Sequence, residues 1–99
     1  MFYQFTGLLW KYSSVKASWY FITLPFEVSR QIKRENPVKR GYGSIRVVAK
    51  ISQTQWKTSI FPDSKKKSYI IPIKVQVRNK LALQENQEVQ ISIEPETII

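Results

Sequence analysis

Apolar and polar residues alternate most regularly between Ser44 and Ser52. Ile45, Val47, Ala49 and Ile51 fall on one side, and Arg46 and Lys50 on the other. That period of two is the mark of a half-buried strand. Gln53-Thr54 follows as a short turn, and Gln55 to Phe61 returns with Trp56, Thr58 and Ile60 on one face. Pro62-Asp63-Ser64 has the composition of a turn. Near the start, Tyr3, Phe5 and Leu9 alternate with Gln4, Thr6 and Leu8, which predicts a first strand over Phe2 to Trp10. Tyr12 to Lys16 reads as a loop. Trp19 to Leu24 is apolar on both faces, as a strand covered on both sides would be. Glu88 to Glu94 gives a last strand with Val89, Ile91 and Ile93 inward, after a polar turn in which Asn86 can take left-handed backbone.

Two apolar runs meet a proline: Trp19 to Leu24 before Pro25, and Tyr69-Ile70-Ile71 before Pro72. Proline suits the first position of a helix and not a central ladder. After Pro25, Val28 and Ile32 share a helical face, with Glu27 in the first turn and Arg30, Lys33 and Arg34 on other faces. This helix should stop near Glu35-Asn36, ahead of Pro37. After Pro72 two periods compete. Ile71, Ile73, Val75 and Val77 alternate as a strand, whereas Ile73, Val77 and Leu81 are spaced as a helix. The proline and the Leu81-Ala82-Leu83 ending favour a short helix within 73–82. The coarse order is strand, strand, helix, strand, twice over, and predicts two matching halves of one small barrel. We divide the chain as 1–43, 44–95 and a tail, 96–99, within one domain.

Composition narrows the chemistry. The 99 residues include no cysteine and no histidine. Disulfides, thiolate catalysis, the usual zinc sites and the usual neutral-pH base are thereby excluded. The net charge is +9, and it is unevenly spread: Val28 to Gln84 holds 14 of the 16 basic residues against two acids, Glu35 and Asp63. Glu85, Glu88, Glu94 and Glu96 then follow without a base. Such a field favours polyanionic partners. Met1 to Trp10 is apolar without a basic leader, and Lys11 interrupts it too early for a span of about 20 residues. A cytoplasmic protein with no membrane contact is expected.

Four pieces of sequence carry a resemblance. They are Trp19-Tyr20-Phe21-Ile22-Thr23-Leu24-Pro25, Arg40-Gly41-Tyr42-Gly43-Ser44-Ile45, Trp56-Lys57-Thr58-Ser59-Ile60-Phe61-Pro62, and Tyr69-Ile70-Ile71-Pro72-Ile73-Lys74 continuing to Arg78. In this order they resemble a small bacterial β-barrel family of unknown function. Its members occur alone or fused to domains of the bacteriocin-protection (YdeI/OmpD-associated) type. The resemblance implies a mainly β, AbrB/MazE-like double-split barrel with two short helices. Here the two swapped-hairpin-like halves would lie on one chain, so that a monomer could close it. Asn86-Gln87 stands where the family usually has Gly-Asp, and the hairpin before Trp56 lacks the usual glycine. The resemblance implies no catalytic residue.

An enzyme would need a nucleophile with a base or a carboxylate pair. Ser59 and Lys74 come nearest, and nothing local brings them together. We therefore expect a non-enzymatic binding domain without cofactor or metal. For a polyanion such as DNA or RNA, the candidate contacts are Lys39, Arg40, Arg46, Lys50, Lys57, Lys65, Lys66 and Lys67. A second candidate is an anion pocket formed by Lys74, Arg78, Tyr42 and Ser59. The alternative is a module that recognises an acidic protein surface through its aromatic residues, Trp10, Trp19, Trp56 and Tyr42. Of these, Trp19 and Trp56 are expected to fill the barrel instead.

Overall fold

The computed structural model describes residues 2–36 and 43–96. Eight elements follow one another: β1 (Tyr3–Ser13), β2 (Ser18–Thr23), α1 (Phe26–Glu35), β3 (Ile45–Ile51), β4 (Thr54–Asp63), β5 (Ser68–Pro72), α2 (Val75–Leu81) and β6 (Glu88–Pro95). The strands close an antiparallel barrel in the order β1-β2-β5-β4-β3-β6. β1 pairs with β6 from Tyr3 to Leu8, then leaves it for β2 from Leu9 onward. β4 repeats the move, pairing with β3 as far as Ile60 and with β5 from Phe61. Each long strand is thus shared between two sheets, which is the double-split barrel expected.

The two halves are related through the β2–β5 ladder. Ile22 pairs with Ile71, flanked by Phe21 with Pro72 and Thr23 with Ile70. The strand exits are reciprocal: the Leu24 N–H donates to the Tyr69 carbonyl at 2.9 Å, and the Ile73 N–H to the Tyr20 carbonyl at 2.8 Å. Exchanging β1, β2, α1 and β3 with β4, β5, α2 and β6 leaves the strand order unchanged. By this pairing the seam lies at the β3–β4 turn, rather than at residue 44. Pro25 and Pro72 are not counterparts either. Pro25 directly precedes α1, whereas Pro72 still stands in the β5 ladder and Lys74 precedes α2.

Inward residues come from alternate positions of every strand. Leu9, Ile22, Val47, Ala49, Ile60 and Ile71 are wholly buried, with Ile91 and Ile93 nearly so. α1 adds Ile32 and α2 adds Val77. Beyond Ile71, the helical period prevails over the alternating one, as expected. At the far end of α1, the Tyr3 hydroxyl donates to Glu35 at 2.5 Å. Asn36 Nδ2 donates back to that hydroxyl at 3.4 Å and to the Ile32 carbonyl at 2.9 Å. These bonds tie the helix end to β1.

Several local expectations are corrected. β1 runs on past Trp10 to Ser13. Pro62 is not in a turn: it pairs with Tyr69 inside β4, and the turn begins after Asp63. The β3–β4 turn is Ser52-Gln53, with Ser52 at φ 53°, and Thr54 already belongs to β4. Trp56 fills the core as expected, but Trp19 is 54% exposed. Its register explains why. Ile22 points inward on β2, and Trp19 and Phe21 lie on the opposite face. Asn86 does take positive φ, 69°. The Gly41-Tyr42 bend lies outside the described residues.

Two outcomes are expected. Gly7 stands where β1 changes partners, and a Cβ there would lie 2.5 Å from Ile22 Cγ2 and 3.2 Å from the Thr23 carbonyl. Gly7→Ala should therefore cost ~1–3 kcal/mol in denaturant unfolding, the usual penalty of overpacking. Burial, followed by the bond to Glu35, pushes the Tyr3 phenol from 10.0 up to about 12. The folded chain then holds this proton where the unfolded chain has lost it. Stability should fall as pH rises from 10 toward 12, and Tyr3→Phe should flatten that fall in pH-dependent unfolding.

Candidate functional site

The basic residues singled out from the sequence separate into different places. Arg46, Lys50 and Lys57 share the outer face of the β3–β4 hairpin, where Lys57 sits opposite Val48, between the other two. The expected grouping of these three is present. Its charge is offset, however, because β6 lies on the other side of β3. Glu94 pairs with Val48, and the Glu96 carboxylate is 3.6 Å from Arg46 Nε. Lys65, Lys66 and Lys67 form the tip of the β4–β5 hairpin. Asp63 accepts the Lys65 N–H at 3.1 Å, and Lys67 takes positive φ, 52°. Lys39, Arg40 and Tyr42 lie outside the described residues.

The outer face of β1, β2, β5 and β4 has a different character. Because Leu9 and Ile22 point inward, their neighbours point out. Trp10 faces Phe21 with ring centroids 5.1 Å apart, and Tyr12 faces Trp19 in the next row. The row continues from Phe21 to Pro72, and Phe61 lies opposite Ile70. Tyr12 and Trp19 are each 54% exposed. Trp10 is held in place, since its Nε1–H donates to Thr23 Oγ1 at 2.9 Å. Lys66 Nζ stands 4.3 Å above the Trp10 ring, a cation–π contact that joins the lysine tip to the aromatic surface. The carboxylates of the four strands reduce to one, Asp63, at the end of β4.

Behind the same hairpin tip lies a cleft of about 730 Å³. α1 supplies Phe26, Ser29, Arg30, Lys33 and Arg34, at the spacing of a single helical face. Pro62, Lys67 and Tyr69 close the other side. Ser29 is buried and accepts the Tyr69 N–H on its Oγ at 3.0 Å, so helix and strand are locked at the cleft floor. Burial pushes the Tyr69 phenol up, so it stays neutral at ordinary pH. From the sequence, Lys67 belongs to the tip alone, and Arg30, Lys33 and Arg34 are placed only off the face of Val28 and Ile32, with no role. The signal was available: these residues share a stripe with Phe26 and Ser29, and only the partner of that stripe was missing.

The second anion pocket expected from the sequence is differently arranged. Arg78 Nε donates to the Ile73 carbonyl at 3.0 Å, and its guanidinium carbon lies 3.9 Å from the centre of the Tyr20 ring. Lys11 reaches the same ring at 5.9 Å. Ser59 points outward on β4 opposite Arg46, and Lys74 precedes α2 exposed. Among the described residues, no helix is long and apolar enough to cross a membrane.

A family model described as a domain of unknown function, DUF1905, matches residues 5–93. No curated protein matches the chain.

Arg78→Ala should cost about 1–3 kcal/mol in unfolding, since it removes both the stack on Tyr20 and the bond to Ile73. Arg78→Lys should recover little of that loss, because an ammonium lacks the flat fork that makes both contacts.

Proposed function

The chain belongs to the DUF1905 family, and on that premise we propose that it is a non-enzymatic domain that binds single-stranded nucleic acid. One observation carries this reading: the outward aromatic rows of β1 and β2 meet a lysine tip, with Lys66 seated on Trp10. Bases stack on exposed aromatic rings at about 1–3 kcal/mol each, without regard to sequence. Lysines beside them neutralise the phosphates that connect those bases. A duplex hides its base faces and would leave Tyr12 and Trp19 without a partner. Contiguous exposed aromatic surface of this kind marks an interaction site, and its charged rim sets the sign of the partner.

An acidic protein surface would also be drawn to Lys65–Lys67 and could use Trp19 and Tyr12 as anchors, but it would not need rings aligned in register as stacked bases do. Titration of tryptophan emission with a mixed-sequence oligonucleotide separates the two. Stacking quenches the emission, whereas polyglutamate neutralises charge without stacking. The expected result is quenching at low salt that weakens as salt rises, with Trp19→Ala losing about 1–3 kcal/mol of affinity. Replacing Lys65, Lys66 and Lys67 together should flatten the log–log salt slope by ~2. If the oligonucleotide causes no quenching at low salt while polyglutamate binds, the acidic-protein reading takes its place.

A further inference from the structure

The pseudo-twofold relation between the halves sets the α1 cleft beside a built-in comparison. Leu24 and Ile73 make reciprocal bonds to Tyr69 and Tyr20, and α1 and α2 each begin at the second residue beyond. Ser29 of α1 therefore corresponds to Arg78 of α2, and Tyr69 corresponds to Tyr20. In the second half the space above the tyrosine is taken by the chain itself, because the Arg78 guanidinium lies 3.9 Å over the Tyr20 ring. In the first half a small hydroxyl replaces that arginine, Tyr69 itself is buried, and a cleft of about 730 Å³ opens between α1 and the β4–β5 hairpin. The barrel does not require this opening, since its own counterpart is filled. The cations have moved from the floor to the rim, where Arg30, Arg34 and Lys67 line the cleft.

We infer that the α1 cleft binds a phosphomonoester carried on a planar ring. Phe26, with the Arg30 guanidinium 5.8 Å from its ring centre, and Pro62 offer apolar walls above the buried Tyr69, and the volume lies in the range of small-molecule sites. Guanidinium groups match phosphate oxygens with paired donors, and Lys67 adds a point charge. Asp63, the acid in the cleft lining, has an oxygen engaged by the Lys65 N–H. A dianion is therefore favoured over a neutral or cationic ring. Lys66 and Lys67 are adjacent, one on the outer aromatic face and the other in the cleft. The ring is therefore a nucleobase in our reading. This identification rests on the proposed function; the site itself stands on other residues. The nucleotide can come from solution or from the phosphorylated end of a bound strand.

Equilibrium titration of the full chain with adenosine 5′-monophosphate, adenosine and inorganic phosphate tests the site. Saturable binding of the nucleotide is expected, at least tenfold tighter than either part alone. Arg34→Ala and Lys67→Ala, both at exposed positions, should each weaken it about tenfold, and Lys80→Ala, on α2 outside the cleft lining, should leave it unchanged. Equal binding of nucleotide and inorganic phosphate, or insensitivity to both cleft variants, would overturn the inference. A 5′-phosphorylated oligonucleotide compared with its 5′-hydroxyl form identifies the source. A preference that vanishes in Arg34→Ala assigns the strand end, and equal affinities assign the free nucleotide. Loss of oligonucleotide binding with retained nucleotide binding counts against the outer-face reading alone.

Discussion

The whole barrel depends on the antiparallel pairing of β2 with β5. Ile22 and Ile71 meet there, wholly buried, and the two strands exchange bonds at their exits through Leu24, Ile73, Tyr20 and Tyr69. Without this ladder the β1–β2 and β4–β5 hairpins would have no common sheet, and each would expose half a core. The opposite closure, β3 on β6, runs from Val47 with Pro95 to Lys50 with Ser92. The long strands β1 and β4 then connect the two closures, each bending from one sheet into the other. Gly7 lets β1 pass this close to Ile22, because even a Cβ there would force the Ile22 side chain to shift.

Much of this was legible in the residues, because alternation records which side of a strand faces the core. The inward sets of β3, β4 and β6 follow directly from Ile45, Val47, Ala49 and Ile51, from Trp56 and Ile60, and from Val89, Ile91 and Ile93. Misreadings occurred where a residue's usual role conflicts with its register. Pro62 has the chemistry of a turn, yet at the end of a shared strand it stands in a ladder. Trp19 has the bulk of a core residue, yet the inward direction of Ile22 turns it to solvent. The site was harder to see, because its parts are far apart in the chain. Arg30 and Arg34 have no assigned role until the β4–β5 hairpin supplies the other wall. The aromatic rows require the pairing of Trp10 with Phe21 and of Tyr12 with Trp19, which depends on register rather than composition.

Charge follows the architecture. Of the acids that end the sequence, Glu88, Glu94 and Glu96 lie on or just after β6, and Glu94 and Glu96 stand beside the basic outer face of β3 and β4. That side of the barrel is largely self-neutralised. The β4–β5 tip has no such neighbour strand, and its lysines join the aromatic face and the α1 cleft instead. Among the described residues, Arg30, Lys33, Arg34 and Lys65 to Lys67 therefore gather about the β4–β5 tip and the α1 cleft. The second half has spent one of its cations internally, through Arg78 on Tyr20, so the two halves share a fold while their helices face different environments.

A segment such as Trp19-Tyr20-Phe21-Ile22-Thr23 combines the β-branched and aromatic content, and the absence of charge, that favours stacking into fibrils. In an open sheet its backbone donors and acceptors would be a template for other copies of the chain. Here β1 pairs with β2 from Ser18 to Ile22, and β5 occupies its other flank from Phe21 to Thr23. Circular closure therefore does more than enclose a core. It lets the molecule carry sticky rings on its surface while leaving the backbone at Phe21 and Ile22 no edge for an incoming strand to zip onto.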